Sequence, residues 1–197
     1  MDEKQFPAAL SVPVHYFDQP GSDNTGHVLD VVAEAAEALN VEHIVVATTS
    51  GRTGALAVRR ILGRNIVVVT HSAGFAGPNT RELDPSFRAE IEQAGAAILT
   101  CQHAFGGVGR AVRKKLGTYE LEEIIAHTLR IFGQGTKVAV EIALMAADAG
   151  LVTAGAPCIS VGGTDEGADT ALLLKPANAQ AFFDLRIMEV LCKPRLG

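Results

Sequence analysis

Short apolar runs rich in Val and Ile alternate along the chain with longer stretches in which apolar residues recur every three or four positions. The first pattern suits strands and the second amphipathic helices. Their alternation predicts parallel strands joined by crossover helices. Val14 to Phe17 is the first expected strand; after the turn-like Asp18 to Gly26, the residues Val28, Val31, Val32, Ala35 and Leu39 form one face of a helix. His43 to Thr48 is the second strand. The helix that follows carries Ala57, Val58, Ile61 and Leu62 on its inner side and stops at Gly63, where a residue without a Cβ forms a left-handed cap at least cost.

Asn65 to Thr70 is apolar on both faces and reads as a central parallel strand. A loop from His71 to Leu83 leads to Asp84 and Pro85, an N-cap followed by a proline suited to the first helical turn, and that helix runs to about Ala94. Ala96 to Thr100 is a fourth strand, followed by the glycine-rich Phe105 to Gly109 and a basic helix. Thr118 is expected to cap a helix with Glu120, Glu122 and Glu123 in its first turns and Leu121, Ile124, Ile125, Thr128 and Phe132 on its inner face. The helix from about Thr136 to Ala149 is apolar almost all round, which predicts a place between layers. Pro157 to Pro176 reads as two strands with a glycine-rich connection, and Asp184 to Cys192 as a final strand. The expectation is a single α/β domain over residues 1–197, with residues 1–12 a flexible N-terminal segment. Its architecture is a mostly parallel sheet with helices on both faces.

The formal net charge of -5 argues against nucleic acid as a partner, since phosphate backbones are held by clustered Lys and Arg. Arg110, Arg113, Lys114 and Lys115 form the one basic cluster, and at helical spacing they read as a solvated face. Cys101, Cys158 and Cys192 form no CxxC pair and no Cys/His spacing that suits zinc. Reduced thiols, no metal and a cytoplasmic location are expected. The first residues lack a cationic start followed by an apolar run, and no stretch approaches the roughly eighteen apolar residues of a membrane span. The expected protein is soluble, with no membrane partner.

In an open parallel sheet, ligands sit beyond the carboxyl ends of the strands, where helix N-termini offer free amides to anions. Thr48, Thr49, Ser50, Gly51, Arg52 and Thr53 occupy such a position. Gly51 permits a tight turn, Thr48, Ser50 and Thr53 can donate hydroxyl hydrogen bonds, and Arg52 can add a charge-assisted one. The sequence contains no GxxxxGK[ST], and no GxGxxG follows a strand, which disfavours a nucleoside triphosphate and a dinucleotide. "TTSGRT" instead resembles the phosphate loop of flavodoxin-type proteins. The same small hydroxyl residues would also serve as a plain helix cap and turn.

From about Val14 onward the chain resembles a family of free-standing proteins related to the C-terminal α/β domain of pyruvate kinase. The resemblance rests on "YFDQPGSDNT", "VVATTSGRTGA", "VVVTHSAGF", "KVAVEIALMAADAG" and "GGTDEGADTALLLKPANAQAFFDLRIMEVLCKPR". It implies a Rossmann-like three-layer sandwich with a flavin mononucleotide (FMN) site whose phosphate contacts are Thr48 to Thr53. Neighbouring loops would complete the pocket with Asn24 and Thr25, with Thr70, His71, Gly74 and Phe75, and with Gly162, Gly163, Asp169 and Thr170. In pyruvate kinase the corresponding loop holds the phosphate of an allosteric sugar bisphosphate. Nothing here resembles the barrel that performs phosphoryl transfer, so pyruvate kinase activity is not expected. With no Trp and two Tyr, the flavin ring would have to be covered by Phe17, Phe75, Phe105 or aliphatic side chains.

His71 and His103 follow the third and fourth strands and are candidates to donate to a flavin carbonyl or to act as general acid/base; each can equally be a loop histidine in water. Cys101 lies on the same rim without a redox partner and reads as structural. Glu141 and Asp148 share a helix face but lie about 10 Å apart along its axis, too far for a shared proton. A solvent edge, or one buried salt bridge to an Arg, is expected there. Gly106 to Arg110 suits either a second anion or a packing turn. No catalytic residue is assigned. The leading function is FMN binding, as a sensor or a flavin-dependent oxidoreductase. A regulatory domain for a sugar phosphate, a phosphate-handling enzyme without flavin and a structural subunit stand beside it, and homo-oligomerisation is a further expectation.

Overall fold

The computed structural model describes residues 10–195. The two Val-rich strands with both faces apolar lie inside the sandwich: β2 (His43–Ala47) and β3 (Asn65–Val69). Their side chains alternate between two cores. Ile44, Val46, Ile66 and Val68 enter one, and Val45, Val67 and Val69 enter the other. With β1 (His15–Phe17), β4 (Ala97–Leu99), β5 (Cys158–Gly162), β6 (Thr170–Lys175) and β7 (Arg186–Pro194) they make a seven-stranded sheet of order β1-β7-β6-β5-β2-β3-β4. β6 is antiparallel to both its neighbours, and every other pairing is parallel. The sequence expectation of a three-layer, mostly parallel α/β sandwich agrees with this sheet.

One face is covered by α1 (Thr25–Ala38), α2 (Arg52–Arg60) and α3 (Pro85–Gln93), which contribute Val28, Ala57 and Ile91 to the first core. The other face is covered by α6 (Gln134–Asp148). Outside α6 lie α5 (Leu121–Arg130) and a 3-10 segment (Ala179–Asp184), so α6 is apolar almost all round because it is packed on both sides. α4 (Val108–Leu116) packs against α5. Asp84 caps α3 as its position implies, its carboxylate accepting from the Ser86 amide at 2.7 Å, with Pro85 in the first turn. Of the expected N-terminal segment, residues 1–9 lie outside the described residues, and 10–14 form neither helix nor strand.

Three local expectations are corrected. Leu62 is 76% exposed because α2 ends at Arg60, leaving Ile61 as the last inward residue. Thr118 is not a cap: α5 begins at Leu121, with Glu120 in the capping position and no side-chain bond there. The face of α5 is also turned. Leu121, Ile124, Thr128 and Phe132 are exposed, whereas Glu123 and Ala126 are buried and Ile125 alone of the expected face packs against the second core. The reason is electrostatic and steric together. Glu123 forms an ion pair with Arg113 of α4 at 2.8 Å, which fixes the rotation of α5 and sets the small Ala126 against the core under it. Among the described residues no helix is long and apolar enough to cross a membrane.

Candidate ligand site at the strand ends

Parallel pairing aims the carboxyl ends of β2, β3, β4 and β5 at one rim. A threonine follows each of β2, β3 and β4, and strand pairing sets the three abreast. The Thr48 amide donates to the Val69 carbonyl and the Thr70 amide to the Leu99 carbonyl, both at 2.9 Å. The hydroxyls of Thr70 and Thr100 are 2.6 Å apart.

The loop after β2 is held from two sides. The Thr48 hydroxyl accepts from the Gly51 amide at 3.0 Å, and the Ser50 carbonyl accepts from the Asp84 amide at 2.9 Å, tying the loop to the start of α3. Gly51 is required here: its φ is +100°, and a Cβ would stand 2.7 Å from Leu83 Cδ1 and Phe87 Cβ. Thr48 is therefore a brace of the turn. What is left for a ligand is the exposed Ser50 and Arg52, together with the amides of Thr53 and Gly54 in the first turn of α2, which have no partner among the described residues. Unpaired amides at a helix start, with the positive end of the helix dipole behind them, favour an anion.

Six of the expected site residues are drawn together beside β5 but spend their polar groups internally. The fully buried Asp169 carboxylate accepts from the amides of Gly21 at 3.0 Å and Thr164 at 3.1 Å and from the Thr170 hydroxyl at 2.7 Å. Thr25 donates to the Ser22 carbonyl at 2.6 Å and accepts from the Ala168 amide at 3.0 Å, while Asn24 bonds to the carbonyls of Gln19 and Gly21. Gly162 and Gly163 allow close backbone approach, since a Cβ on either would lie 2.3 Å from a carbonyl oxygen. Together these residues lock the turn after β1 to the connection between β5 and β6.

On the other side of the loop, Thr49, Thr70, His71, Arg81, Arg88 and Thr100 line a cavity of about 380 Å³. His71 Nδ1 is 2.8 Å from Glu82 Oε2. Phe75, 41% exposed, stacks on His71 (centroids 4.0 Å apart) and on His103 (5.1 Å), with the Arg110 guanidinium 5.1 Å from its ring centre. Gly74, at φ +90°, turns the chain just before it. His103 Nε2 accepts from the Ser72 amide at 3.3 Å, which leaves the proton on Nδ1, 3.8 Å from Glu141 Oε2. Burial pulls the His103 imidazole below its ordinary value, against the opposing pull of Glu141.

The buried salt bridge of Glu141 is made to Lys137, one turn earlier, and not to an Arg as expected; the Phe105 amide also donates to its Oε1 at 2.8 Å. Lys137 was overlooked in the sequence, where its signal is a Lys four residues before a Glu on an otherwise apolar helix. Asp148 is at the exposed end of α6, accepting from the Ala179 amide at 3.0 Å. Burial raises the Cys101 thiol, as its structural reading implies. Phe105 is 5% exposed and Phe17 packs against the first core, which leaves Phe75 as the accessible member of the three phenylalanines. Arg81 and Arg88 were also missed, since the chain gives no sign that they meet across the β3–α3 loop.

A sheet of this order, with helices on both faces and an open rim at the carboxyl ends, defines an α/β domain of the doubly wound class. The model of the pyruvate kinase, alpha/beta domain matches residues 27–174, and the chain belongs to that family. Similar solved structures include two of pyruvate kinase from Cryptosporidium parvum. One is 15% identical (TM-score 0.39) over 77% of this chain and 23% of the other. The second, in complex with ADP, is 16% identical (TM-score 0.38) over 76% of this chain and 22% of the other. The chain thus spans less than a quarter of the length of these pyruvate kinases.

Proposed function

We propose that this chain is a ligand-binding domain that holds the phosphate of a small molecule over the start of α2, and that its ligand is FMN. The observation that carries the reading is the pair of unpartnered amides, Thr53 and Gly54, beside the exposed Ser50 and Arg52. The surroundings fit a phosphate on one side and a planar ring on the other. Phe75 offers an accessible face, and the threonines of the rim offer donors and acceptors to a ring edge. FMN, when bound, would supply redox chemistry or serve as a sensed ligand; this chain's residues would bind and orient it.

The test is added FMN. Ligand linkage predicts that FMN at about a hundred times its Kd raises stability by about 2.7 kcal/mol. Ser50→Ala with Thr53→Ala should abolish most of that gain while leaving the unliganded transition in place. An unchanged gain in the double variant would place the phosphate elsewhere. A second reading, a regulatory domain for a sugar phosphate, is favoured by membership of the pyruvate kinase α/β domain family. A chain that is indifferent to FMN and stabilised by a sugar bisphosphate would select it. Turnover of the bound flavin with an added reductant and acceptor would mark an oxidoreductase; binding without turnover would mark a sensor.

A further inference from the structure

The cavity beside the loop opens into a second, wider recess along the exposed edge of β4, of about 610 Å³, and Arg81, Arg88 and Thr100 line both. They are two lobes of one cleft. We propose that this cleft binds a small oxyanion, a carboxylate or phosphate carried by a compact metabolite, at a site distinct from the start of α2. Arg81 and Arg88 are its anchors.

The cleft wall sets two guanidiniums against one carboxylate on a chain of net charge -5. Arg81 has no ion pair or hydrogen bond to another described residue. Arg88 meets only Glu92, in an exposed pair one turn along α3 at 2.9 Å. The sole carboxylate in the wall, Glu82, is already engaged by His71 Nδ1, so the other ring nitrogen, Nε2, is the one His71 has left for a guest. Thr49, Thr70 and Thr100 add hydroxyls, and the Thr70–Thr100 contact can be exchanged for bonds to an anion because each hydroxyl both donates and accepts. A planar guanidinium pair matches carboxylate and phosphate oxygens in bidentate fashion, which is why arginines rather than lysines suit such a wall. The recess also reaches Ser72 and Gln102, polar neighbours for the uncharged part of the guest.

The cleft shares the rim threonines with the FMN reading but not the start of α2, and calorimetric titration separates the two. Inorganic phosphate and malonate are titrated into the full chain, into Arg81→Ala/Arg88→Ala and into Ser50→Ala/Thr53→Ala. The full chain is expected to bind at least one probe at about 10 mM, ten times a millimolar Kd. Removing the arginines should weaken that binding about tenfold or more, because two charge-assisted contacts are lost. The Ser50/Thr53 variant should retain it. Phosphate alone identifies a phosphate ester as the guest, malonate alone a carboxylate, and both a site for either. Both arginines are exposed, so their removal should leave the fold intact; Arg81→Lys/Arg88→Lys, which keeps the charge, should bind more weakly than the full chain and more tightly than the alanine variant. Binding unchanged in the alanine variant, loss confined to the Ser50/Thr53 variant, or no binding of either probe to the full chain would overturn the proposal.

Discussion

Lys137 and Glu141 place two opposite charges inside a helix whose other positions are almost wholly apolar, at 4% and 3% exposure. Each ion alone would be costly in that setting; the pair is sustained because Glu141 also accepts from the Phe105 amide. Lys137→Met should therefore lower stability by about 3–5 kcal/mol, since it strands a buried carboxylate. Lys137→Met with Glu141→Gln should recover most of the loss, because the amide oxygen still serves Phe105. Urea unfolding of the three proteins checks this, and a single variant within about 1 kcal/mol of the parent would contradict it. His103 adds a pH dependence. Burial depresses its folded-state value below the ordinary 6.5, so below that pH the unfolded chain takes up a proton that the native chain resists. The contribution is fully present above pH 6.5 and is lost as pH falls through the folded-state value. His103→Gln should flatten the fall of the melting temperature between neutral and mildly acidic pH. In the sequence Glu141 stood out as an acid among apolar residues. Lys137 did not, because a helical lysine is ordinarily solvated and its burial depends on what packs over it.

At the scale of elements, β2 and β3 were legible because a strand apolar on both faces has only one place to go, between layers. The inner face of α5 was not. Apolar residues at helical spacing fix a stripe without saying which way it points, and here the Arg113–Glu123 pair turned it outward, exposing Leu121, Ile124 and Phe132. Glycine shows the same dependence on context. A Cβ at Gly162 would meet the Gly135 carbonyl oxygen at 2.3 Å, whereas one at Gly63 would meet nothing within 4 Å. Gly162→Ala should accordingly force α6 and β5 apart and cost about 1–3 kcal/mol as an overpacked contact. Gly63→Ala carries only the left-handed backbone penalty of about 1–2 kcal/mol, its φ being +67°. The two are distinguished by structure: shifts in the amide spectrum should spread along α6 and β5 for Gly162→Ala and stay local for Gly63→Ala.

For the whole molecule, the matched region, residues 27–174, omits both β1 and β7, yet β7 fills the sheet between β6 and β1 and buries Leu191 and Cys192. A chain ending after Lys175 would leave the edge of β6 unpaired and open the first core. It is expected to show no cooperative thermal transition, and a sharp one near that of the full chain would contradict the arrangement. The turn from Thr48 to Thr53 was legible because one continuous stretch spans strand, turn and helix start. The cleft at Arg81 and Arg88 was not, because it exists only once β3 and β4 lie side by side. The parallel pairing of His15 with Cys192 has a consequence for birth as well as for shape. During synthesis β1 emerges well before β7, so it must wait on the ribosome's schedule for that partner, and this sheet edge closes only once Pro194 has been made.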